Sequence, residues 1–260
     1  MDKTLFMCVD VQGMDCWVSV NQLTLALVKS GSNLRLPIHE FIQQGANRLE
    51  LWPSQTNGQA LHLFKTAFSA HLRLELVKDR GPGQWVQATP VTGLKVEIQQ
   101  GELRKTNVPL MDERVDLPVQ FPRWRFLDLQ GEPGLDEDHS RIARFVHQLS
   151  GLFRSAQVDA LLPWFSHRNR ELMLAYNLDV QEGLDQFRNH LKRLCTECEL
   201  VTDALDPESW QVKGSPHAPI YSVFAAGGQS VFQFLHSETR RRFQLPLHVA
   251  VLNGDVFVVR

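Results

Sequence analysis

The sequence predicts two domains, an N-terminal all-β antiparallel sandwich and a C-terminal α+β domain whose helices pack on an antiparallel sheet. Apolar residues alternate in twos over the first half of the 260-residue chain, which is the period of half-buried strands. After residue 138 they recur every three or four residues, as in amphipathic helices, and beyond Pro207 the alternation returns. A segment with two glycines and one proline, residues 130–134, separates the patterns. We therefore predict domains at residues 1–130 and 138–260.

Short strands in the first half are separated by turn-forming residues. Apolar alternation predicts strands at residues 5–11, 17–21, 23–27, 45–52, 60–64, 70–78 and 92–100. Turn formers cluster between them at residues 13–15, 29–33 and 79–83. The crossover helices that a parallel sheet requires are missing. Many short strands at this spacing predict two packed antiparallel sheets.

The second half begins with helical patterns. Acidic residues at 136–138 are suited to the first turn of a helix, and an apolar stripe from Ile142 to Phe153 continues it. A second helix is predicted around residues 158–165, where Pro163 kinks or divides it. A further turn or two is predicted at residues 171–176, and a final helix at 184–194.

Five strands are predicted after the helices, at residues 210–213, 220–225, 230–236, 241–252 and 255–260. Between the last two, Asn253-Gly254 is the signature of a two-residue type I′ hairpin. Helices packed on one face of such an antiparallel sheet make an α+β domain.

Composition limits the classes of partner and the compartment. The formal net charge of −2 argues against direct nucleic-acid binding through a broad basic field. The first residues lack the features of a secretory signal peptide, and no stretch reaches the length of an apolar membrane span. We therefore expect a soluble, cytoplasmic protein with no membrane partner.

Metal and cofactor sites are not predicted. Cys195 and Cys198 have the spacing of a zinc half-site or a redox pair, but the other two cysteines lie in the other half of the chain. The pair also closes a predicted helix, where the helix dipole opposes a thiolate. The ten histidines are dispersed without ligand spacing, so we predict ordinary reduced cysteines, no metal and no cofactor.

No catalytic residues are predicted from motifs. A phosphate-binding loop and the H-E-x-x-H pattern are absent, and Gly228-Gln-Ser230 stops short of a nucleophile elbow. We therefore predict a protein that is not an enzyme. The alternative is a small-molecule enzyme with a pocket in the C-terminal domain, and the residues that would line it are Tyr176, Asp179, His190 and His217.

One stretch of the first half resembles a known fold family. The run Val18-Ser-Val-Asn21, Pro37-Ile-His-Glu-Phe-Ile42 and Gly45-Ala-Asn47 is similar to galactose-binding-like jelly rolls, although Gln22 replaces the usual glycine after Asn21. The resemblance implies that Gly45-Ala-Asn47 forms a tight turn that leads into a core strand. It also implies a second alternative function, a carbohydrate-binding module in which Trp17, Trp52 and Trp85 stack on sugar rings.

Residues 138–260 resemble the NTF2-like α+β superfold in their order of helices and strands. The resemblance is topological, and a clear strand between the early helices is missing. That superfold hosts enzymes, binding domains and scaffolds, so it implies no function.

A β module followed by an α+β module also resembles bacterial proteins found beside secreted antibacterial toxins, the immunity proteins of type VI secretion systems. The resemblance implies that the chain neutralises a cognate protein toxin, such as a nuclease effector, by occluding its active site. An acidic loop can occupy the basic substrate cleft of a nuclease in place of phosphates. We therefore predict that Asp136, Glu137 and Asp138 contact the partner.

Overall fold

The computed structural model describes residues 3–54, 61–78, 88–117, 119, 121–131, 135–201 and 210–260. The chain divides into two compact units. The first comprises Met1–Asn21 and Leu25–Val119, and the second comprises Gln22–Thr24 and Gln120–Arg260. Residues 121–130 fall within the predicted first domain but are grouped with the second unit. The predicted turn at residues 79–83 lies outside the described residues.

The described residues before residue 118 form ten strands, all paired antiparallel. They are β1 Lys3–Gln12, β2 Cys16–Val20, β3 Leu23–Val28, β4 Asn33–Pro37, β5 Gly45–Pro53, β6 Leu61–Leu63, β7 Phe68–Lys78, β8 Thr89–Ile98, β9 Leu103–Lys105 and β10 Met111–Leu117. One sheet has the order β4-β1-β7-β8 and another has the order β10-β5-β2-β3, while β6 and β9 form a short ribbon. The prediction of antiparallel β-structure in this half is confirmed.

Alternation in the strands produces the buried faces of these sheets. Met7 and Val9 of β1 are fully buried, and they pair with Leu74 and Leu72 of β7, which are buried as well. Cross-strand apolar pairs of this kind are the main source of stability in a sheet. The same period continues into β5, where Leu49 and Leu51 are fully buried.

Asn47 connects the start of β5 to two neighbouring loops. Its side-chain Oδ1 accepts hydrogen bonds from the Gln43 backbone N–H at 2.9 Å and from Asn21 Nδ2 at 2.8 Å. Its Nδ2 donates to the backbone carbonyls of Gln43 at 2.9 Å and of Gly45 at 2.8 Å. Asn47 has no exposed surface. The four hydrogen bonds pair its amide oxygen and amide nitrogen, and they also pair one polar group of Asn21, two of Gln43 and one of Gly45.

The turn between β2 and β3 has an unusual backbone. Asn21 and Gln22 have φ angles of 49° and 76°, in the left-handed region that glycine adopts most easily. The Asn21 side chain offsets this strain, because its Oδ1 accepts from the Arg48 N–H at 2.9 Å and its Nδ2 donates to the Phe41 carbonyl at 2.8 Å.

The second unit contains three helices and seven strands within the described residues. The helices are α1 Leu135–Arg154, α2 Val158–Ala175 and α3 Val180–Glu197. The strands are β11 Cys198–Leu200, β12 Trp210–Gly214, β13 Ile220–Ala225, β14 Phe232–His236, β15 Arg242–Leu245, β16 Leu247–Leu252 and β17 Asp255–Val258. They form one sheet in the order β12-β13-β16-β17 and another in the order β11-β14-β15.

Pro163 does not divide α2, which excludes one of the two alternatives that the sequence left open. The helix runs without interruption to Ala175, so the predicted separate turn at residues 171–176 is its last part. Pro163 is the sixth residue of α2, and its missing N–H removes one backbone hydrogen bond in the N-terminal part of the helix. Leu161, Phe165 and Leu172 of α2 are buried, and this packing keeps the helix continuous.

The core of the second unit lies between α1 and the strands. Ile142, Val146 and Leu149 form the predicted stripe of α1 and are fully buried. Phe153 continues the stripe, and its ring packs against those of Phe232 and Phe234 of β14, with centroids 5.2 and 5.1 Å away. Among the described residues, no helix combines the length and hydropathy needed to cross a membrane.

Glu171 and Arg260 fix the segment before α1 to the end of β17. One Glu171 oxygen accepts from the Arg125 backbone N–H at 2.7 Å, and the other accepts from Arg260 Nη1 at 2.8 Å. The buried Arg260 guanidinium also lies over the Trp124 ring, 4.1 Å from its centroid. Arg260 therefore combines an ion pair with a cation–π contact inside the second unit.

Ala156 ends α1 in a conformation that suits glycine. Its φ is 54°, and the Gln157 N–H donates to the Leu152 carbonyl at 3.0 Å, as in a Schellman motif. We expect Ala156→Gly to stabilise the second unit by about 0.5–1 kcal/mol, because a left-handed conformation disfavours Cβ and Ala156 is exposed. Urea unfolding followed by helical circular dichroism measures the change. Ala160→Gly, at an exposed site inside α2, is the control and is expected to destabilise.

Candidate functional site

The three predicted contact residues, hereafter the acidic turn, form the first turn of α1. Asp136 and Glu137 are exposed, whereas only 5% of Asp138 is exposed. Negative side chains are favourable here because the first N–H groups of a helix are unpaired and carry partial positive charge. The structure therefore separates the three residues into two exposed carboxylates and one buried carboxylate.

Asp138 is held by hydrogen bonds within the second unit. Its Oδ2 accepts the hydroxyl hydrogen of Tyr221, a fully buried residue of β13, and its Oδ1 accepts from Arg141 Nη1 at 3.1 Å. These bonds use both carboxylate oxygens. Asp138 thus attaches the start of α1 to the sheet, and its burial leaves little of it for a partner to touch.

Arg141 joins Asp138 to Glu137. Its Nη2 lies 3.0 Å from Glu137 Oε2, four residues earlier on the helix, while Nη1 bonds Asp138. The Asp136 carboxylate has no ion-pair or hydrogen-bond partner among the described residues. Three carboxylates and one guanidinium give this helix start a charge of −2, and the partial charge of roughly +0.5 at a helix N-terminus does not cancel it.

A groove of about 570 Å³, hereafter the β17 groove, begins at Arg141. One wall is β17 with the preceding Gly254, and the other is formed by α1 and α2. Phe145 and Trp164 both line it and pack edge to face, with ring centroids 5.2 Å apart. The helix residues that line it are Arg141, Arg144, Phe145, Gln148, Pro163, Trp164, Ser166 and His167. Its size is that of a ligand cleft, and its lining mixes aromatic and polar groups.

The four residues of the enzyme alternative have separate environments. Asp179 caps α3, where its Oδ1 accepts from the Glu182 N–H at 2.8 Å, and His190 lies about 16 Å further along that helix at 1.5 Å per residue. The Tyr176 ring packs edge-on against Phe121, and the His217 N–H donates to Ser215 Oγ at 3.2 Å. In the described part of the chain, none of the four lines the β17 groove.

The tryptophans of the carbohydrate alternative are placed in the first unit. Only 3% of Trp17 is exposed, and Trp52 is half-buried on the neighbouring strand directly opposite it. A buried indole cannot stack on a sugar ring, so Trp17 is not available for that role. Trp85 lies outside the described residues.

Sequence reasoning missed a buried polar pair in the second unit. Ser222 of β13 and His248 of β16 are direct cross-strand partners, and Oγ lies 2.8 Å from Nδ1. Burial and the nearby guanidinium groups of Arg168 and Arg260 lower the pKa of His248 to about 3, so its imidazole is neutral. Only 1% of Ser222 and 2% of His248 are exposed, which makes them a structural pair. Spacing of 26 residues in the sequence gives no signal of such a contact.

The cysteine pair shows the electrostatics of ordinary thiols. Cys195 lies in the last turn of α3 and Cys198 begins β11, and both are unbonded thiols. Burial raises the pKa of each thiol. The neighbouring Cys198 further raises the pKa of Cys195, and the negative charge of Glu197 further raises that of Cys198. A raised pKa opposes the thiolate that redox chemistry and metal binding need. Within the described ranges, no three His, Cys, Asp or Glu side chains are grouped as metal ligands would be.

Comparison with known proteins gave no match: no family model, no curated protein and no solved structure matches this chain.

Proposed function

We propose that this chain is a non-enzymatic protein-binding protein of the immunity type, which neutralises a cognate toxin in the cytoplasm. The observation that carries the proposal is the acidic turn, in which Asp136 and Glu137 are exposed while Asp138 holds the helix start in place. A rigid scaffold that presents two carboxylates together suits a basic partner surface. A nuclease cleft, which normally binds phosphates, is a surface of this kind.

The mechanism we propose is occlusion of the toxin's active site. The carboxylates of Asp136 and Glu137 occupy the positions of substrate phosphates, and their charge accelerates association with a basic cleft. A stable complex of this type buries on the order of 1,600 Å² in total. The acidic turn supplies only part of that area, so neighbouring surface of the second unit contributes the apolar contacts.

We also propose a finer fold assignment for each unit. The first unit is a β-sandwich of the galactose-binding-like type, supported by two four-stranded antiparallel sheets and by the hydrogen bonds around Asn47. The second unit is NTF2-like, supported by three helices that precede a four-stranded antiparallel sheet and pack on it. Neither fold implies a function by itself.

The test combines partner capture with charge reversal. We expect the full chain, used as bait in its native host, to retain one stoichiometric protein. The double variant Asp136→Lys/Glu137→Lys is expected to weaken binding to that purified protein at least about tenfold at low salt, and less at high salt, because the contacts are electrostatic. Calorimetry or surface plasmon resonance measures the affinity.

The matched control reverses two acids near the start of another helix. Glu182 and Asp185 lie in the first turns of α3 and are exposed, so Glu182→Lys/Asp185→Lys makes the same change in charge and is expected to leave affinity unchanged. Equal affinity of both double variants and the unmodified chain would exclude the acidic turn as the binding site. Retention of a metabolite with no protein would reject the immunity function itself.

A further inference from the structure

The ribbon of β6 and β9 presents an apolar face to solvent. Leu63 lies directly opposite Leu103, and Leu61 lies opposite Lys105. Residues that face each other across two strands, and residues two apart in one strand, have side chains on the same face. These four residues are therefore grouped, hereafter the leucine face. Leu61, Leu63 and Leu103 are 49%, 48% and 58% exposed. A single exposed leucine is ordinary, whereas a group on one face indicates a contact surface.

The opposite face of the ribbon is anchored to the first unit. His62 packs edge to face against the buried Phe64, and the Phe64 ring packs in turn against Phe68 of β7, with centroids 4.9 and 5.9 Å apart. The Phe64 backbone N–H donates to the Glu102 carbonyl at 3.0 Å, and its carbonyl accepts from the Gly101 N–H at 2.8 Å. These contacts fix the ribbon from one side and leave the leucine face exposed.

Two lysines beside the leucines carry uncompensated positive charge. Lys105 belongs to the leucine face itself, and Lys65 follows the end of β6. Both are exposed and form no ion pair with any described residue. The one nearby acid, Glu102, is already bonded to Arg104 at 2.6 Å. The four residues together carry a formal charge of +2, whereas the whole chain carries −2.

The size of the leucine face argues against a globular partner. Stable protein–protein interfaces use roughly 20–30 residues from each side. The two strands of the ribbon have only three residues each. A bilayer needs no such area, because a few apolar side chains can enter its acyl boundary while lysine ammonium groups stay among anionic headgroups. Apolar side chains combined with uncompensated positive charge therefore favour an anionic lipid surface.

We propose that the leucine face binds the surface of an anionic lipid bilayer, with the three leucines at the acyl boundary and Lys65 and Lys105 against the headgroups. The sequence-based expectation of no membrane partner rested on the lack of an apolar span, which contact from one side does not require. The leucine face belongs to the first unit and the acidic turn to the second, and no toxin enters the test. The two proposals therefore succeed or fail separately.

The experiment is sedimentation of the full chain with lipid vesicles. We expect binding to vesicles of equal parts phosphatidylserine and phosphatidylcholine. Binding to phosphatidylcholine alone is expected to be at least about tenfold weaker, because each lysine near an anionic surface contributes about fivefold. Leu61→Ser/Leu103→Ser is expected to weaken binding to the anionic vesicles at least about tenfold, since both apolar side chains are lost from the acyl boundary. Lys65→Glu/Lys105→Glu is expected to have an effect of similar size.

Matched variants make the same changes elsewhere on the surface. Leu174→Ser/Leu178→Ser replaces two leucines of the second unit that are 60% and 54% exposed. Lys95→Glu/Lys192→Glu reverses two exposed lysines outside the ribbon. At physiological salt, where distant charges are screened, both are expected to bind the anionic vesicles within about twofold of the unmodified chain.

Hydrogen exchange of the unmodified chain keeps the test independent of whether a variant folds. Peptides from residues 61–65 and 102–106 are expected to exchange more slowly when anionic vesicles are present, and unchanged exchange overturns the proposal. Equal binding to neutral and anionic vesicles, or equal binding of the ribbon variants and the matched variants, also overturns it. So does a homodimer that Leu61→Ser/Leu103→Ser dissociates, because the leucine face is then covered by a second copy.

Discussion

Asn47→Asp is expected to destabilise the first unit by at least about 3 kcal/mol, although the two side chains have nearly the same shape. The amide Nδ2 donates to the Gln43 and Gly45 carbonyls at 2.9 and 2.8 Å. A carboxylate oxygen at that position would face two carbonyl oxygens without a hydrogen to share, and its charge would be buried. Both effects act against the folded state.

Hydrogen exchange read by mass spectrometry measures this effect, because peptides from β1, β5 and β7 report on the first unit alone. The control is Asn107→Asp, an exposed site in the same unit, for which a change within about 0.5 kcal/mol is expected. If the two variants exchanged equally slowly, the hydrogen bonds of Asn47 would not be important for stability.

Acid is expected to destabilise the second unit through His248. The folded-state pKa of about 3 lies below the value of about 6.5 for an unperturbed histidine. The unfolded chain therefore binds more protons between these values, and stability is lost as pH falls below about 6.5. The slope approaches about 1.4 kcal/mol per pH unit, which gives a loss of about 1.3 kcal/mol between pH 7 and pH 5.5.

The substitution that tests this expectation is His248→Asn, whose amide can still reach Ser222 Oγ but does not titrate. We expect the variant to be less stable at pH 7, because it leaves space in a packed interior, and to lose about 1.3 kcal/mol less than the unmodified chain on acidification. All three described α-helices lie in the second unit, so urea unfolding followed by α-helical circular dichroism isolates it. His147→Asn, at an exposed site of α1, is the control. An unchanged pH dependence in His248→Asn would contradict the assignment.

The apolar periodicity of the sequence was sufficient to predict most helices and strands. It failed where contacts between residues distant in the sequence determine the local structure. The strand β10 was missed because Asp112, Glu113, Arg114 and Asp116 hide its alternation, yet it pairs with β5 and its Asp112 forms a two-bond ion pair with Arg48. The continuation of α2 to Ala175 was also missed, because Pro163 lies within the helix. The cost of a proline to helix stability can be read from the sequence. The tertiary packing of α2 that outweighs this cost cannot.

Site residues were harder to predict than strands and helices. The cluster at 136–138 is visible in the sequence, but the sequence does not indicate that Asp138 is buried and bonded to Tyr221, a residue 83 positions later. The Ser222–His248 pair depends on the register between two strands, and this register could not be read from the sequence alone. The β17 groove depends on the placement of two helices beside one strand, and composition carries no trace of it.

The long edge strand β8 has a consequence for association between molecules. It has ten residues and lies at the end of its sheet in the described part of the first unit, where it presents many backbone groups to other chains. Pro90 lies beside an irregularity in its pairing, and the exposed Lys95 and Glu97 carry charge along it. Proline and charges on an edge oppose intermolecular sheet formation, so β8 is guarded against aggregation. The short strand β17 has neither proline nor lysine, and in the described part of the second unit two helices flank it instead.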